Sequence, residues 1–141
     1  MPNFTSNELT VWGKASEIAK FREQIGDEID FEKIIPMPEN CFRGDLGKTE
    51  REQCAADGVP NWYDWCSENW GTKWNACSPC PVVVENYPAS EHVGLSYRFD
   101  TAWDAPRPVI SALKKQWPDL EIAGGYVHEG YEGCGSYFEI E

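Results

Sequence analysis

The chain has 141 residues, the size of one domain, and its hydrophobic fraction of 41% and aromatic fraction of 13% exclude a disordered chain. Its formal net charge of -12 disfavours nucleic acid as a direct partner, because phosphate binding requires lysine and arginine side chains. No apolar run approaches the roughly 18 residues that a membrane span needs.

The amino-terminal residues contain neither a basic stretch nor an apolar core, so they do not have the pattern of a secretory signal. We therefore expect a soluble, cytoplasmic protein with a single domain over residues 1–141. Neither a membrane nor a nucleic acid is expected as a direct partner.

The first predicted elements are a strand and a helix. Alternation of apolar and polar side chains predicts a strand at residues 9–12. Over residues 14–25 the apolar side chains recur at the spacing of an amphipathic helix, and Gly26 is placed to end it. Residues 29–35 are predicted to be extended up to Pro36, because a proline biases the residue before it away from the helical conformation.

A middle insertion is predicted at about residues 39–81. Its first part is polar and rich in glycine, and it contains one short helical turn at residues 48–56. Asn61 can then cap a helix whose aromatic and thiol side chains share one face. The residues on that face are Trp62, Trp65 and Cys66.

Two antiparallel strands are predicted at residues 82–87 and 93–100. In the second strand the apolar side chains alternate strictly, which is typical of a strand with one buried face. These alternating residues are Val93, Leu95, Tyr97 and Phe99.

A second amphipathic helix is predicted after Asp104, which is interpreted as its acidic cap, and this helix ends at Pro118. Strands are predicted at residues 120–128 and 135–140. The order of elements is strand, helix, strand, strand, helix, strand, which predicts an α+β, ferredoxin-like (split βαβ) fold. We expect an antiparallel sheet with two helices on one face, a further helix in the insertion and an added C-terminal strand.

A tryptophan-rich string at residues 69–76, Asn-Trp-Gly-Thr-Lys-Trp-Asn-Ala, is the most specific part of the chain. Together with residues 9–13, 34–39, 65–68, 99–103 with Pro106, and 117–120, it resembles the YubB ferredoxin-like domain of small phage and conjugative-plasmid proteins. The resemblance spans nearly the whole chain and implies a ferredoxin-like fold and a mobile-element origin. It implies no catalytic activity.

Seven residues around this string form what we call the signature, and we interpret them as a packing anchor because buried tryptophans dominate core energetics. Lys73 is expected to lie over a tryptophan ring as a cation–π pair. The signature residues are Trp65, Asn69, Trp70, Gly71, Thr72, Lys73 and Trp74.

Negative charge is concentrated at the C-terminal end, where residues 119–141 contain six acidic residues and neither lysine nor arginine. Such a run is usually a solvated face, but it can also bind a basic protein partner. Our first hypothesis is a non-enzymatic accessory protein of a phage or other mobile element that binds a host protein through an acidic surface. It could act as a DNA mimic that inhibits a defence nuclease, as anti-restriction and anti-CRISPR proteins do. The candidate partner-binding residues are Glu121, Glu129, Glu132, Glu139 and Glu141.

Four cysteines in or beside the insertion are candidate ligands for one structural zinc ion: Cys41, Cys54, Cys77 and Cys80. Free buried thiols are the alternative. A thioredoxin-like activity is disfavoured because the Cys77–Cys80 pair leads into a strand, whereas redox thiols are typically stabilised at a helix N-terminus.

No catalytic residues are predicted, because His92 and His128 have no serine or cysteine partner at a triad spacing. RNA binding on the sheet is disfavoured, because the alternation of Tyr97 and Phe99 directs both rings into the core. The alternative function is a metal-binding enzyme or ligand-binding protein that uses the cysteine-bearing insertion.

Overall fold

The computed structural model describes residues 3–129 and 133–137, and it shows an α+β fold. Its strands are β1 (Phe4–Lys14), β2 (Val83–Tyr87), β3 (His92–Ala102), β4 (Glu121–His128) and β5 (Cys134–Ser136). Its α-helices are α1 (Ala15–Ile25), α2 (Lys48–Asp57), α3 (Trp62–Asn69) and α4 (Arg107–Gln116). Two short 3-10 turns lie at Phe31–Lys33 and Pro88–Ser90.

The five strands form one sheet in the order β2-β3-β1-β4-β5, and every neighbouring pair is antiparallel. β1 is central: Leu9 lies opposite Tyr97 on one side and Gly124 on the other. The predicted α+β class and antiparallel sheet are therefore confirmed.

One face of the sheet is covered by α1 and α4. Leu9 and Val11 of β1 are fully buried among side chains of both helices, such as Phe21 and Leu113. Each such side chain contributes roughly 1.5–3 kcal/mol by leaving water. Phe21 of α1 also makes a T-shaped contact with Trp117, the residue after α4, with ring centroids 5.3 Å apart.

β1 begins five residues before the predicted start at residue 9. Thr5 and Asn7 occupy core-facing positions in this extra segment, so their polarity conceals the strand from a search for apolar alternation. Asn7 is satisfied internally, because its Nδ2 donates to the Thr5 carbonyl at 3.0 Å and to Thr101 Oγ1 at 2.9 Å.

Two local predictions are wrong. Residues 29–35 are not extended, because Asp30 accepts a hydrogen bond from the Glu32 N–H and caps the 3-10 turn that follows. Asp104 does not cap α4. Its carboxylate instead accepts from the N–H of the adjacent Ala105 and from the Arg107 guanidinium.

The other helix boundaries agree with the sequence. α1 ends before Gly26, which has a φ of 93°. Asn61 caps α3 by accepting from the Asp64 N–H at 2.9 Å. Of the predicted last strand, residues 138–140 lie outside the described residues. No helix within the described ranges has the length and apolar character that crossing a membrane requires.

Candidate binding groove on the open face of the sheet

The face of the sheet opposite α1 and α4 carries a groove of ≈ 920 Å³. Successive side chains of a strand point to opposite faces, so the neighbours of buried Leu9 point away from the helices. The lining includes Ser6, Glu8, Arg98, Asp100, Cys80 and Cys134. Four strands and the end of the insertion therefore meet in one concave surface, which we call the open-face groove.

Two rows of paired residues cross the floor of the open-face groove. Listed from β3 to β5, the first row contains Asp100, Ser6, Val127 and Cys134. The second row contains Arg98, Glu8, Gly125 and Ser136. On the two inner strands, Ser6 and Gly125 have a small side chain or none, whereas Glu8 and Val127 are longer. The inner strands therefore leave room above Ser6 and Gly125.

Two glycines of β4 allow the close strand packing beneath the groove. Gly124 has a φ of 141°, and a side chain there would collide with the carbonyl oxygen of Glu8. A Cβ at Gly125 would lie 2.6 Å from the carbonyl oxygen of Gly135. A glycine within a strand often marks a bend or a close approach of another backbone. The shape of the groove thus depends on the absence of side chains at these two positions.

The open-face groove contains one paired and one unpaired carboxylate. The Arg98 guanidinium lies 3.5 Å from the Glu8 carboxylate. Their side chains are 70% and 52% exposed, so this pair stabilises the fold by about 0–1 kcal/mol. Asp100 is half-buried, and its carboxylate has no ion pair or hydrogen bond with the residues at 3–129 and 133–137. The groove therefore offers an uncompensated negative charge.

Two of the five predicted acidic residues, Glu121 and Glu129, lie in the described part of the chain, and they are far apart. Glu121 begins β4 and Glu129 directly follows it, so the two lie about 27 Å apart along an extended strand. Glu129 also accepts a hydrogen bond from the Phe4 N–H at 3.0 Å. Glu121 lies instead beside a smaller cavity of ≈ 530 Å³, which Glu17 and Asp119 also line. The other three candidates, Glu132, Glu139 and Glu141, lie outside the described residues.

The four candidate zinc ligands fall into two environments. Cys41 and Cys54 are buried in the insertion, and burial raises the pKa of the Cys41 thiol. Cys77 and Cys80 lie beside β3, where backbone hydrogen bonds join them to Asp100 and Arg98. No group of three or more histidine, cysteine or acidic side chains in the described parts of the chain is arranged to hold a metal ion. The structure therefore does not bring these cysteines together into a four-thiolate site.

The two remaining cysteines differ from each other. Cys66 is 2% exposed, and burial raises its pKa to about 12, as expected for a thiol of the core. Cys134 is exposed and lines the open-face groove.

The signature packs the insertion onto the rest of the domain. Trp70 is 2% exposed and donates from Nε1 to the Ile35 carbonyl at 2.9 Å. Gly71, with a φ of 75°, allows the chain to pass against Pro108 at the start of α4. The Lys73 ammonium lies 5.0 Å from the centroid of the Trp74 ring, as predicted.

A polar cluster that the sequence did not indicate joins β1, β4 and α4. His128 Nδ1 lies 2.9 Å from the Thr5 hydroxyl, and its Nε2 lies 3.8 Å from Asp104. Arg107 donates to Asp104 at 2.9 Å and to the Tyr126 hydroxyl at 2.6 Å. Thr5 is fully buried, so its hydroxyl cannot meet a substrate, and both ring nitrogens of His128 have partners. The cluster therefore holds strands together and is not a catalytic triad.

Comparison of the chain with family models, with curated proteins and with solved structures found no match.

Proposed function

We propose that this protein is a non-enzymatic binding protein that holds a basic segment of a partner protein in its open-face groove. The carrying observation is Asp100, a half-buried carboxylate on the floor of the open-face groove that has no partner among the described residues. A lysine or arginine side chain is the group that would compensate it, because a charge that is partly shielded from water favours an opposite charge nearby.

The composition supports a basic partner. The chain has 24 acidic residues and 12 lysines and arginines, so its field attracts cations and repels polyanions. Complementary charge speeds encounter and penalises wrong partners, and this contribution decreases as salt is added.

We assign the fold more narrowly to the ferredoxin-like class. β3 lies between β1 and β2 in the sheet and is antiparallel to both. The connection from β1 to β2 contains α1. β3 and β4 flank β1 in the same way and are connected by α4. This is the split βαβ arrangement, which β5 extends by one edge strand. It is also the arrangement that the resemblance to YubB domains implies.

We propose further that the partner is a host nucleic-acid-binding protein in the cytoplasm, such as a defence nuclease. The resemblance to phage and plasmid proteins and the charge of -12 support this. A nuclease channel is basic, so a compact acidic domain can occupy it in place of DNA. Titration of the protein into DNA-cleavage assays with purified restriction and CRISPR nucleases tests this part: cleavage should decrease with protein concentration, and unchanged cleavage would contradict it.

A small-molecule ligand is the second candidate. The volume of ≈ 920 Å³ lies within the usual range for ligand pockets, and Ser78 and Cys80 of the insertion contribute to the lining. A screen for ligand-induced thermal stabilisation, repeated on a Cys80→Ser variant, tests this alternative. Stabilisation of the wild type that the variant loses would favour it.

Binding of a fluorescent octa-arginine peptide, measured by anisotropy, tests the proposed groove. Asp100→Asn should weaken binding about tenfold, equivalent to about 1.4 kcal/mol. Asp45→Asn is the matched control, because it removes the same charge from an exposed side chain of the insertion. Equal weakening by both variants would mean that the peptide responds only to overall charge, and the groove proposal would then be wrong.

A further inference from the structure

The segment that contains Cys77 and Cys80 continues the sheet along β3, in line with β2. The Cys77 N–H donates to the Asp100 carbonyl at 2.7 Å, and the Asp100 N–H donates back at 2.9 Å. The Cys80 N–H donates to the Arg98 carbonyl at 2.8 Å. In a regular antiparallel ladder, the residue two positions after Cys77 would make this last bond.

The segment therefore contains one extra residue. Ser78 and Pro79 together lie opposite the single residue Phe99, which is the arrangement of a β-bulge. Pro79 has no N–H to donate, and Ser78 has a φ of 45°, which bends the chain locally.

The bulge places the two cysteines where residues i and i+2 of a regular strand would lie. Cys80 lines the open-face groove, and Cys77 lies opposite Asp100 in the backbone pairing. Two positions along a strand separate Cα atoms by about 6.6 Å, and disulfides span Cα distances up to about 6.8 Å. A disulfide also needs Cβ atoms about 3.5–4.5 Å apart, so the chain must bend further at Ser78 to join the two sulfur atoms.

The two thiols have complementary surroundings. Cys80 is exposed and lines the open-face groove, so a reagent can reach its sulfur. Cys77 is half-buried: its Sγ accepts from Trp74 Nε1 at 2.9 Å and donates to the Asn75 carbonyl at 3.6 Å. Exchange needs an accessible attacking thiol, which Cys80 supplies, and Cys77 is the nearby thiol that can resolve the mixed disulfide.

We propose that Cys77 and Cys80 form a thiol–disulfide exchange site whose oxidant is a small disulfide such as glutathione disulfide. The Cys80 thiolate attacks one sulfur of the disulfide, which forms a mixed disulfide and releases one glutathione thiolate. The Cys77 thiolate then attacks the Cys80 sulfur and displaces the second glutathione. The two cysteine protons are transferred to the two glutathione thiolates, and the products are the Cys77–Cys80 disulfide and two glutathione molecules.

This inference is independent of the proposed binding function. It also differs from a thioredoxin-like site, because the pair leads into β2 and not into a helix. The consequence is a reversible covalent switch at one wall of the open-face groove.

Intact mass spectrometry after incubation of the reduced protein with glutathione disulfide tests the site. The wild type should lose two hydrogen atoms, retain no glutathione and show a Cys77–Cys80 link in a peptide map. Dithiothreitol should reverse the change. Cys77→Ser should instead stop at a glutathione adduct on Cys80, because the resolving thiol is missing.

Cys134→Ser is the matched control, because Cys134 is an exposed thiol on the opposite wall of the same groove. It should form the Cys77–Cys80 link as the wild type does. A wild type that retains a stable glutathione adduct at Cys80 would overturn the proposal. A link that maps to Cys80 and Cys134 would overturn it as well.

Discussion

The Tyr137 hydroxyl donates a hydrogen bond to the side-chain oxygen of Asn7 at 2.8 Å, although the two residues are 130 positions apart. Tyr137 is 9% and Asn7 is 4% exposed, so this bond lies in the interior. It joins the residue after β5 to the middle of β1. The last described part of the chain is therefore attached to the core by a polar contact as well as by strand pairing.

Tyr137→Phe should lower the free energy of unfolding by about 1–3 kcal/mol, because it leaves a buried oxygen of Asn7 without a donor. Tyr87→Phe is the matched control. Its hydroxyl also donates to a side chain, Glu85, but Tyr87 is 42% exposed, and water can replace the lost bond. Urea unfolding of both variants measures the difference. Equal losses for the two would contradict an interior role for Tyr137.

The parts of the fold that follow apolar periodicity could be predicted from the sequence. The alternation of Leu95, Tyr97 and Phe99 predicts β3, and the structure buries all three side chains. The start of β1 could not be predicted from the sequence, because Thr5 and Asn7 are polar. Their burial is compensated by hydrogen-bond partners that are distant in the sequence. Phe31 was assigned to an extended segment, because the capping of a 3-10 turn by Asp30 is a local hydrogen bond that periodicity does not detect.

The open-face groove could not be predicted from any local pattern. Asp100 and Ser6 share a row of the floor only because β3 and β1 pair in one register. Concentrated charge at the C-terminal end suggests one acidic patch, but Glu121 begins β4 and Glu129 follows its last residue, so the length of the strand separates them. The sequence shows the spacing of Cys77 and Cys80. It does not show the bulge between them, because the bulge depends on pairing with β3.

Gly124→Ala should destabilise the protein by more than about 3 kcal/mol, because it adds a clash with the Glu8 carbonyl to an unfavourable φ. Gly58→Ala is the matched control: its φ is also positive, at 68°, but no atom lies within 4 Å of the added Cβ. It should cost only about 1–2 kcal/mol. Chemical denaturation compares the two, and similar costs would show that β1 and β4 do not require a glycine at this position.

The signature is expected to be structural. Trp70→Phe removes a buried N–H donor and part of the core contact with Phe31, so it should cost about 2–4 kcal/mol. Lys73→Ala removes a half-exposed cation–π pair and should cost about 0.5–1 kcal/mol. The octa-arginine affinity of the folded Lys73→Ala variant should stay within twofold of wild type. A large change in affinity without a change in stability would instead place Lys73 in the binding surface.

Stability should decrease at alkaline pH through Tyr97. Burial raises the pKa of Tyr97 from 10.0 to about 12, so folding favours the neutral phenol. The resulting stabilisation is fully present below pH 10.0 and is lost as the pH rises through about 12. Urea unfolding of wild type and Tyr97→Phe should therefore differ most near neutral pH, and the gap should narrow above pH 10.0. A constant gap would mean that Tyr97 ionises equally in both states.

Thiol reactivity should separate the cysteines by burial and should also test the zinc prediction. Cys80 and Cys134 are exposed, so iodoacetamide should label them first in the native protein. Cys41, Cys54 and Cys66 are buried, and they should be labelled only when the protein opens. For Cys66, burial also raises the pKa to about 12, which leaves little of the reactive thiolate at neutral pH.

Peptide mapping after timed labelling, with and without a zinc chelator, measures these rates. The structure leads us to expect the same pattern in both conditions, because the four candidate ligands are not grouped. If Cys77 and Cys80 are protected together with Cys41 and Cys54, and a chelator exposes all four, then zinc joins the insertion to the sheet in solution. In that case the Cys77–Cys80 pair would be a metal ligand, and oxidation by glutathione disulfide would require metal release first.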